Sequence, residues 1–324
     1  MRIALAGLGG AAFGGHLPAL MRLHGDRSIE LVAAADPDAD RRAAAARLLQ
    51  GVPLFSSAEE MLASRTSDVL VITARPESHA QLVTLGVSHR QHIVCEKPLT
   101  LTKVQHRTIV DSLASATGVG LIPVHQYRYS PSWPLLCRWG RRADCLGLSF
   151  TFEADVRRNG SDSTAASAWR ADPALSGGML ADHGVHMLAL AWTISRDLEP
   201  VGITRRLSDD HGEETVAHLR LGSGRMRVQL SSVSPRRSTR LELRCSRFSL
   251  NWHDSSAAVE IQGRSLGRRA TAAISDRSHV NTLYASLYGD LVGRLADSHW
   301  RTRRTVEALA VNRTLVSLLG QGLR

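Results

Sequence analysis

Lysine is almost missing from this 324-residue chain: of forty basic residues only Lys97 and Lys103 are lysine, and the others are arginine. Arginine keeps its proton near neutral pH whereas a lysine in a suitable environment can release it, so each surviving lysine is a candidate for chemistry. Cysteine is scarce too. Cys95, Cys137, Cys145 and Cys245 are widely separated and form no C-x-x-C pair, so neither a zinc ligand set nor a disulfide framework is signalled and no metal is expected. No apolar run approaches the about twenty residues that a membrane span needs. The start, MRIALAGLGG, lacks the charged, apolar and cleavage regions of a secretory signal. The expected setting is cytoplasmic, with no membrane partner. The formal net charge is +10, yet the arginines are interspersed with acids and apolar positions and no known nucleic-acid module accompanies them, so no nucleic-acid partner is expected.

What the chain does have is apolar content, 43% of residues, which over this length is enough for two hydrophobic cores. The texture divides near residue 122. Before it, short continuously apolar segments alternate with helical patterns: strands at 2–6, 29–35, 52–55, 68–73, 92–95 and 118–124, and helices at 39–49, 58–63, 79–86 and 102–115. Strands that are apolar on both faces and separated by helices predict a parallel sheet covered on both sides. Pro18 cannot lie inside a regular helix, so the first main helix is expected to begin there after one irregular turn between Ala11 and His16. From residue 123 onward apolar and polar residues alternate, as in Leu146, Leu148, Phe150, Phe152 and in Leu241, Leu243, Cys245. That period of two predicts a large, mostly antiparallel, open-faced sheet, with helices at 178–194, 281–297 and 303–319 on its inner face. The fold class is therefore a doubly wound α/β domain, residues 1–122, joined to an α+β domain, residues 123–324.

Two features of the first domain point to a dinucleotide. In Gly7-Leu8-Gly9-Gly10-Ala11-Ala12 the glycines permit a tight turn and close approach of a pyrophosphate, and Ala12 stands where a third glycine often lies. The phosphates would rest against the helix N-terminus, whose free N–H groups face the anion. At the end of the second strand Asp36 would accept hydrogen bonds from the adenosine ribose. A carboxylate there repels a 2′-phosphate and favours NAD, while Arg41 and Arg42 either soften that preference toward NADP or form a solvated helix face. A further pair stands in the second domain. Asp182 and His186 are four residues apart on a helix, so both project from one face, and a histidine beside a carboxylate can exchange a proton near neutral pH.

Cys95-Glu96-Lys97-Pro98-Leu99 ends the fifth strand, at the edge where open α/β sheets place ligands. With His125-Gln126-Tyr127-Arg128-Tyr129, Trp169-Arg170, the run Ser176 to His186 and the helices from Tyr284, it makes a series that resembles the glucose–fructose oxidoreductase/inositol dehydrogenase (Gfo/Idh/MocA) family over nearly the whole length. The resemblance implies NAD(P)-dependent hydride transfer at a CH–OH carbon of a sugar, cyclitol or related polyol, with Lys97, Asp182 and His186 as the catalytic group. It implies a cofactor shell of Gly7, Gly9, Ala12, Phe13, Asp36, Thr73, Arg75, Pro76, His79, Glu96 and Lys97. Substrate contacts would come from Lys97, Tyr127, Arg128, Trp169, Arg170 and His186, with Arg157 and Arg158 nearby. His183, an extra histidine in the motif, reads as a supporting residue. Arg75 departs from the family pattern, which has proline there; it either meets the cofactor or an anionic substrate group, or points to solvent.

In the oxidation direction His186 would take the hydroxyl proton, Lys97 would hydrogen-bond the developing alkoxide, and Asp182 would orient the pair. Two other readings share the fold: a redox-neutral elimination or hydrolysis on a glycoside using bound NAD, and a non-catalytic dinucleotide or sugar sensor. The presence of all three proton-handling residues argues against the sensor. The family commonly associates through the wet face of its second sheet, so a homodimer or homotetramer is expected.

Overall fold

In the computed structural model, which describes residues 1–142, 145–155, 172–208, 212–253, 258–263, 270–273 and 280–321, the apolar segments of the first domain form one parallel sheet. Its strands are β1 (Arg2–Ala6), β2 (Glu30–Ala35), β3 (Leu54–Phe55), β4 (Val69–Ile72), β5 (His92–Cys95) and β6 (Leu121–Pro123), in the order β3-β2-β1-β4-β5-β6. The order reverses between β1 and β4, which opens a crevice at the carboxyl ends of those strands. All four residues of β4 are buried, as expected of a strand covered on both faces. The connecting helices are α1 (Leu17–Gly25), α2 (Ala39–Ala46), α3 (Ala58–Ser64), α4 (Pro76–Ser88) and α5 (Lys103–Ala114). Side chains cap several of them: Asp38, Ser57 and Thr102 accept the Asp40, Glu60 and Gln105 amides, each cap stabilising its helix by about 1 kcal/mol. The irregular turn before Pro18 is a π-helical turn, Ala12–His16, running directly into α1.

After a short helical turn, Gln126–Tyr129, and α6 (Ser132–Arg142), the chain builds an eight-stranded sheet. Its strands are β7 (Cys145–Asp155), β8 (Leu198–Leu207), β9 (Glu213–Leu221), β10 (Gly224–Ser231), β11 (Val233–Cys245), β12 (Phe248–His253), β13 (Ala258–Gly263) and β14 (Ala270–Ala273), ordered β14-β13-β12-β11-β7-β10-β9-β8. β7 and β10 pair parallel, and every other pairing is antiparallel. Inward positions are apolar, as the alternation predicts: Leu148, Phe150 and Phe152 on β7 and Met226, Val228 and Leu230 on β10 are buried. Leu146 departs from that pattern and lies half exposed at the strand end.

The chain divides into two compact units, Met1–Gln126 with His279–Leu309, and Tyr127–Ser278 with Ala310–Arg324. One sequence expectation is thereby corrected. The helix Val280–Arg294 belongs to the first unit and packs on the π-helical turn and α1, and the next helix, Ser298–Leu319, also belongs to that unit as far as Leu309, so neither is the cover of the second sheet that the periodicity suggested. Their periodicity revealed an apolar face but not which surface that face would cover.

Candidate active site

Gly7 sets the geometry of the crevice. Its φ of +102° lies where side chains are strained, and a Cβ there would stand 2.6 Å from the Ala74 nitrogen and 2.8 Å from the Thr73 carbonyl carbon. The loop after β1 is therefore pressed against the loop after β4, and the Thr73 hydroxyl donates to the Gly7 carbonyl at 2.5 Å. At Gly10 a Cβ would meet nothing within 4 Å, so this side of the turn is open. The Ala12 methyl is buried, and Phe13 is half-buried, its amide donating to the Gly9 carbonyl at 3.1 Å.

Asp36, 4% exposed, accepts the Leu8 amide on Oδ2 at 2.6 Å and the Asp38 amide on Oδ1 at 2.9 Å. These bonds fix the carboxylate beside the glycine turn, with lone pairs left for a diol. Arg41 and Arg42 fold back on this corner rather than forming a solvated face. Arg42 Nη1 donates to the Asp36 and Pro37 carbonyls at 2.7 and 2.9 Å, and Arg41 Nη1 lies 3.9 Å from Asp36 Oδ2. A buried carboxylate held by two amides, next to a turn that only glycine can form, fits the ribose and pyrophosphate of a dinucleotide.

Across the crevice, Pro76 begins α4, and Arg75 before it is about half exposed, 3.8 Å from Glu77. His79 is fully buried: Nε2 lies 3.0 Å from the Ala74 carbonyl, and Nδ1 lies 3.0 and 3.2 Å from those of Pro98 and Leu99. Burial holds its pKa below the usual imidazole value. The ring joins the loop after β4 to the loop that carries Lys97.

Glu96 is buried at 5% exposure, while Lys97 is half-buried. Glu96 Oε2 accepts the Lys97 amide at 2.9 Å; Oε1 accepts the Tyr284 hydroxyl at 2.7 Å and lies 2.9 Å from His16 Nε2. Burial by itself would raise the Glu96 pKa, but the hydrogen bond and charge of His16, the charge of Lys97 and the Tyr284 hydroxyl outweigh it and hold the carboxyl at about 2. Sequence reasoning passed over His16. A histidine in a glycine-rich turn that needs a counter-group was the available signal.

In the second unit, Gly177 and Gly178 have φ of 74° and 67° and turn the chain into a π-helical turn, Leu180–Gly184, and then the helix Val185–Ile194. Asp182 and His186 stand on this element as predicted. Asp182 Oδ2 lies 3.5 Å from His183 Nε2, and the His183 ring stacks on Phe152 at 4.2 Å, so His183 braces the turn. His186 is 3% exposed and packs edge-on against Tyr127, ring centres 4.7 Å apart. Arg128 Nη1 donates to the Thr193 hydroxyl at 3.4 Å. Trp169, Arg170, Arg157 and Arg158 lie outside the described residues.

Glu213 also escaped the sequence reading. Buried on β9, it accepts the Met179 amide at 2.9 Å, Arg205 Nε at 3.0 Å and the Thr215 hydroxyl at 2.7 Å. It thus caps the element that carries Asp182 and His186.

Known proteins resemble this chain in sequence and in fold. D-apiose dehydrogenase of Paraburkholderia graminis is 27% identical over 206 residues, 61% of this chain and 53% of that protein. D-xylose 1-dehydrogenase (NADP(+)) 2 of Haloferax volcanii is 28% identical over 192 residues, 55% of this chain and 57% of that one. The matched stretches thus span little more than half of these curated relatives. An oxidoreductase from Agrobacterium radiobacter, solved with NAD+, L-tartaric acid and magnesium, shares the fold with a TM-score of 0.83 at 16% identity, over 99% of this chain and 96% of that one. Residues 1–123 match the oxidoreductase family with an NAD-binding Rossmann fold and residues 142–251 match the Gfo/Idh/MocA C-terminal domain, so the chain belongs to the Gfo/Idh/MocA oxidoreductase family.

Proposed function

We propose that this protein is an NAD(P)-dependent dehydrogenase or reductase acting on a CH–OH or keto carbon of a sugar, cyclitol or related polyol. The observation that carries the cofactor assignment is the corner formed by Gly7 and Asp36, where a turn open at Gly10 faces a carboxylate fixed by two backbone amides. The reaction assignment is supported by family membership, by the dehydrogenase names of the sugar-specific relatives, and by the presence of Lys97, Asp182 and His186.

The dinucleotide, when bound, supplies or accepts the hydride. This chain's own residues hold it and move the proton. Asp36 hydrogen-bonds the ribose, and the turn's amides and helix dipole meet the pyrophosphate. In oxidation His186 accepts the hydroxyl proton at an imidazole nitrogen, and Lys97 donates a hydrogen bond to the oxygen as it gains negative charge. Asp182, beside His183, orients the acid–base group. Tyr127 and Arg128, with Trp169 and Arg170, supply substrate contacts. We place residues 1–122, joined by the returning segment His279–Leu309, as the cofactor domain and the rest of 123–324 as the domain for substrate and self-association, in a cytoplasmic homodimer or homotetramer. Along β9 and β10 buried and exposed residues alternate, which leaves one face of the sheet exposed for such an interface.

Titration with NADH and NADPH, followed by nicotinamide fluorescence, tests this reading. Saturable binding followed by substrate-dependent cofactor reduction in a screen of polyols and sugars would support it. Failure of well-folded protein to bind either dinucleotide would overturn it.

A further inference from the structure

Glu96 stands at the centre of a buried hydrogen-bonded chain that ties three separate segments together. His16, 0% exposed, comes from the π-helical turn that closes the glycine-rich loop, and Tyr284 and Tyr288, 6% and 0% exposed, come from the helix Val280–Arg294. Tyr288 Oη lies 2.6 Å from His16 Nδ1, His16 Nε2 lies 2.9 Å from Glu96 Oε1, and the Tyr284 hydroxyl donates to that same oxygen at 2.7 Å. The other oxygen, Oε2, accepts the Lys97 amide. The rings pack as well as bond, with His16 edge-on to Tyr284 at 4.7 Å and to Tyr288 at 5.8 Å. Gly15 makes the approach possible, since a Cβ there would stand 2.5 Å from the Tyr284 ring.

We infer that His16, Glu96 and Tyr284 are positioning residues for Lys97, and that the His16–Glu96 hydrogen bond couples the dinucleotide-binding turn to the placement of that lysine. The inference rests on the reading of Lys97 as the group that meets substrate oxygen. Three observations carry it. Both Glu96 oxygens are engaged inside the protein, one of them on the Lys97 backbone. His16 carries the π-helical turn's hydrogen bond to Glu96, and this turn is the one that would face the pyrophosphate. Tyr284 bonds the same carboxylate from the helix Val280–Arg294, so the residue before Lys97 is held from a second element. The titratable groups that face Glu96 are His16 from the turn, Tyr284 and Tyr288 from the helix, Lys97 beside it, Cys95 on β5 and His79 on α4. Buried hydrogen-bonded networks of this kind act as units, so loss of one bond is felt at the others.

The scarcity of lysine makes the test direct. In protein labelled at the lysine ε-carbon and ζ-nitrogen, only Lys97 and Lys103 give side-chain signals, and Lys103→Arg assigns them. In Glu96→Gln the Lys97 side-chain signal should move in chemical shift from its wild-type position, because the group that accepts the Lys97 amide is altered and its bond to His16 is changed. In Tyr284→Phe, which keeps the ring against Gly15, the Lys97 signal should move in chemical shift; this variant carries the test if Glu96→Gln does not fold. Adding NADH should shift the Lys97 signal in wild type and shift it several-fold less in His16→Gln. Leu287→Ala loosens the same helix without removing a bond to Glu96 and should leave the Lys97 signal where it is in wild type. An unaltered Lys97 signal in both Glu96→Gln and Tyr284→Phe, or an equal change in Leu287→Ala, would overturn the inference. The cofactor-free measurements need neither substrate nor dinucleotide, so failure of the functional reading would appear separately, as absent NADH binding.

Discussion

Oδ2 of Asp36 accepts the Leu8 amide at 2.6 Å, so the acid at the end of β2 and the glycine turn after β1 form one rigid corner. Asp36→Ala removes both that brace and the ribose acceptor, and NADH affinity should fall by about 10- to 100-fold, the loss of one or two charge-assisted hydrogen bonds. Asp36→Ser should weaken NADH while improving NADPH, because the repulsion of a 2′-phosphate is gone and Arg41 remains 3.9 Å from the vacated oxygen position. Fluorescence titrations with both dinucleotides measure the ratio. An unchanged ratio would remove Asp36 from cofactor discrimination.

Gly7→Ala should be among the most damaging changes in the first unit. The new methyl would meet the Ala74 nitrogen at 2.6 Å in a backbone conformation of φ +102°. Strain of this kind costs about 1–3 kcal/mol before the clash is counted. Gly10→Ala, where a Cβ meets nothing within 4 Å, is the control and should stay within about 1 kcal/mol of wild type. Urea unfolding of the two variants side by side gives the comparison.

Local chemistry in the sequence was enough to place β1, the turn, α1 and Asp36, because a strand, glycines and a helix in that order leave few alternatives. Pro18 announced the π-helical turn, though only as an irregularity. β8 was missed because Pro200 and a register shift between Pro200 and Gly202 break its alternation. The helix Val280–Arg294 was found but assigned to the wrong surface, since an apolar stripe does not name its partner. The same limit hid the site's supports. Tyr284 meets Glu96 across 188 positions of sequence and Glu213 meets Met179 across 34, contacts made by topology rather than by any local pattern. Lysine scarcity drew attention to Lys97 and the four-residue spacing to Asp182 and His186, but only the family resemblance proposes a role for them beyond a surface lysine and a packed histidine.

Acid should destabilise this protein in two steps of increasing slope. Burial depresses the His79 pKa, so the native state holds that ring neutral while the unfolded chain binds a proton below pH 6.5. Its contribution is present above that pH and is lost as pH falls. The Glu96 carboxyl drops from an ordinary 4.5 to about 2; its stabilisation is complete above 4.5, declines between 4.5 and 2, and amounts to roughly 3 kcal/mol. Urea midpoints between pH 7 and 3 should therefore fall gently below 6.5 and more steeply below 4.5. Glu96→Gln should lose the steeper segment, and a profile of unchanged slope would assign it to other carboxylates.

Lys97→Ala should separate binding from turnover. Lys97 follows Glu96 on the loop after β5, while the Asp36 corner lies on the β2 side of the sheet. NADH affinity should therefore change by less than about threefold, within 1 kcal/mol. Turnover with an active substrate should drop by about 100-fold or more, the scale of removing an oxyanion donor. Turnover that survives would take Lys97 out of the mechanism.

Glu213 offers the sharpest test of the second unit. Its carboxylate gathers the Met179 amide, Arg205 Nε and the Thr215 hydroxyl, and Gly178 is pressed so close that a Cβ would fall against the Arg205 and Glu213 side chains. Glu213→Ala leaves a mostly buried guanidinium without its carboxylate and should cost about 3–5 kcal/mol. Glu213→Gln keeps the shape and one acceptor, and should cost less. The bond to Met179 stands at the entry to the π-helical turn that carries Asp182, so the damage should also reach the acid–base pair. In Glu213→Gln the NMR signal of the His186 ring should move while dinucleotide affinity, set in the first unit, stays at its wild-type value. A His186 signal that does not respond would confine Glu213 to stability alone.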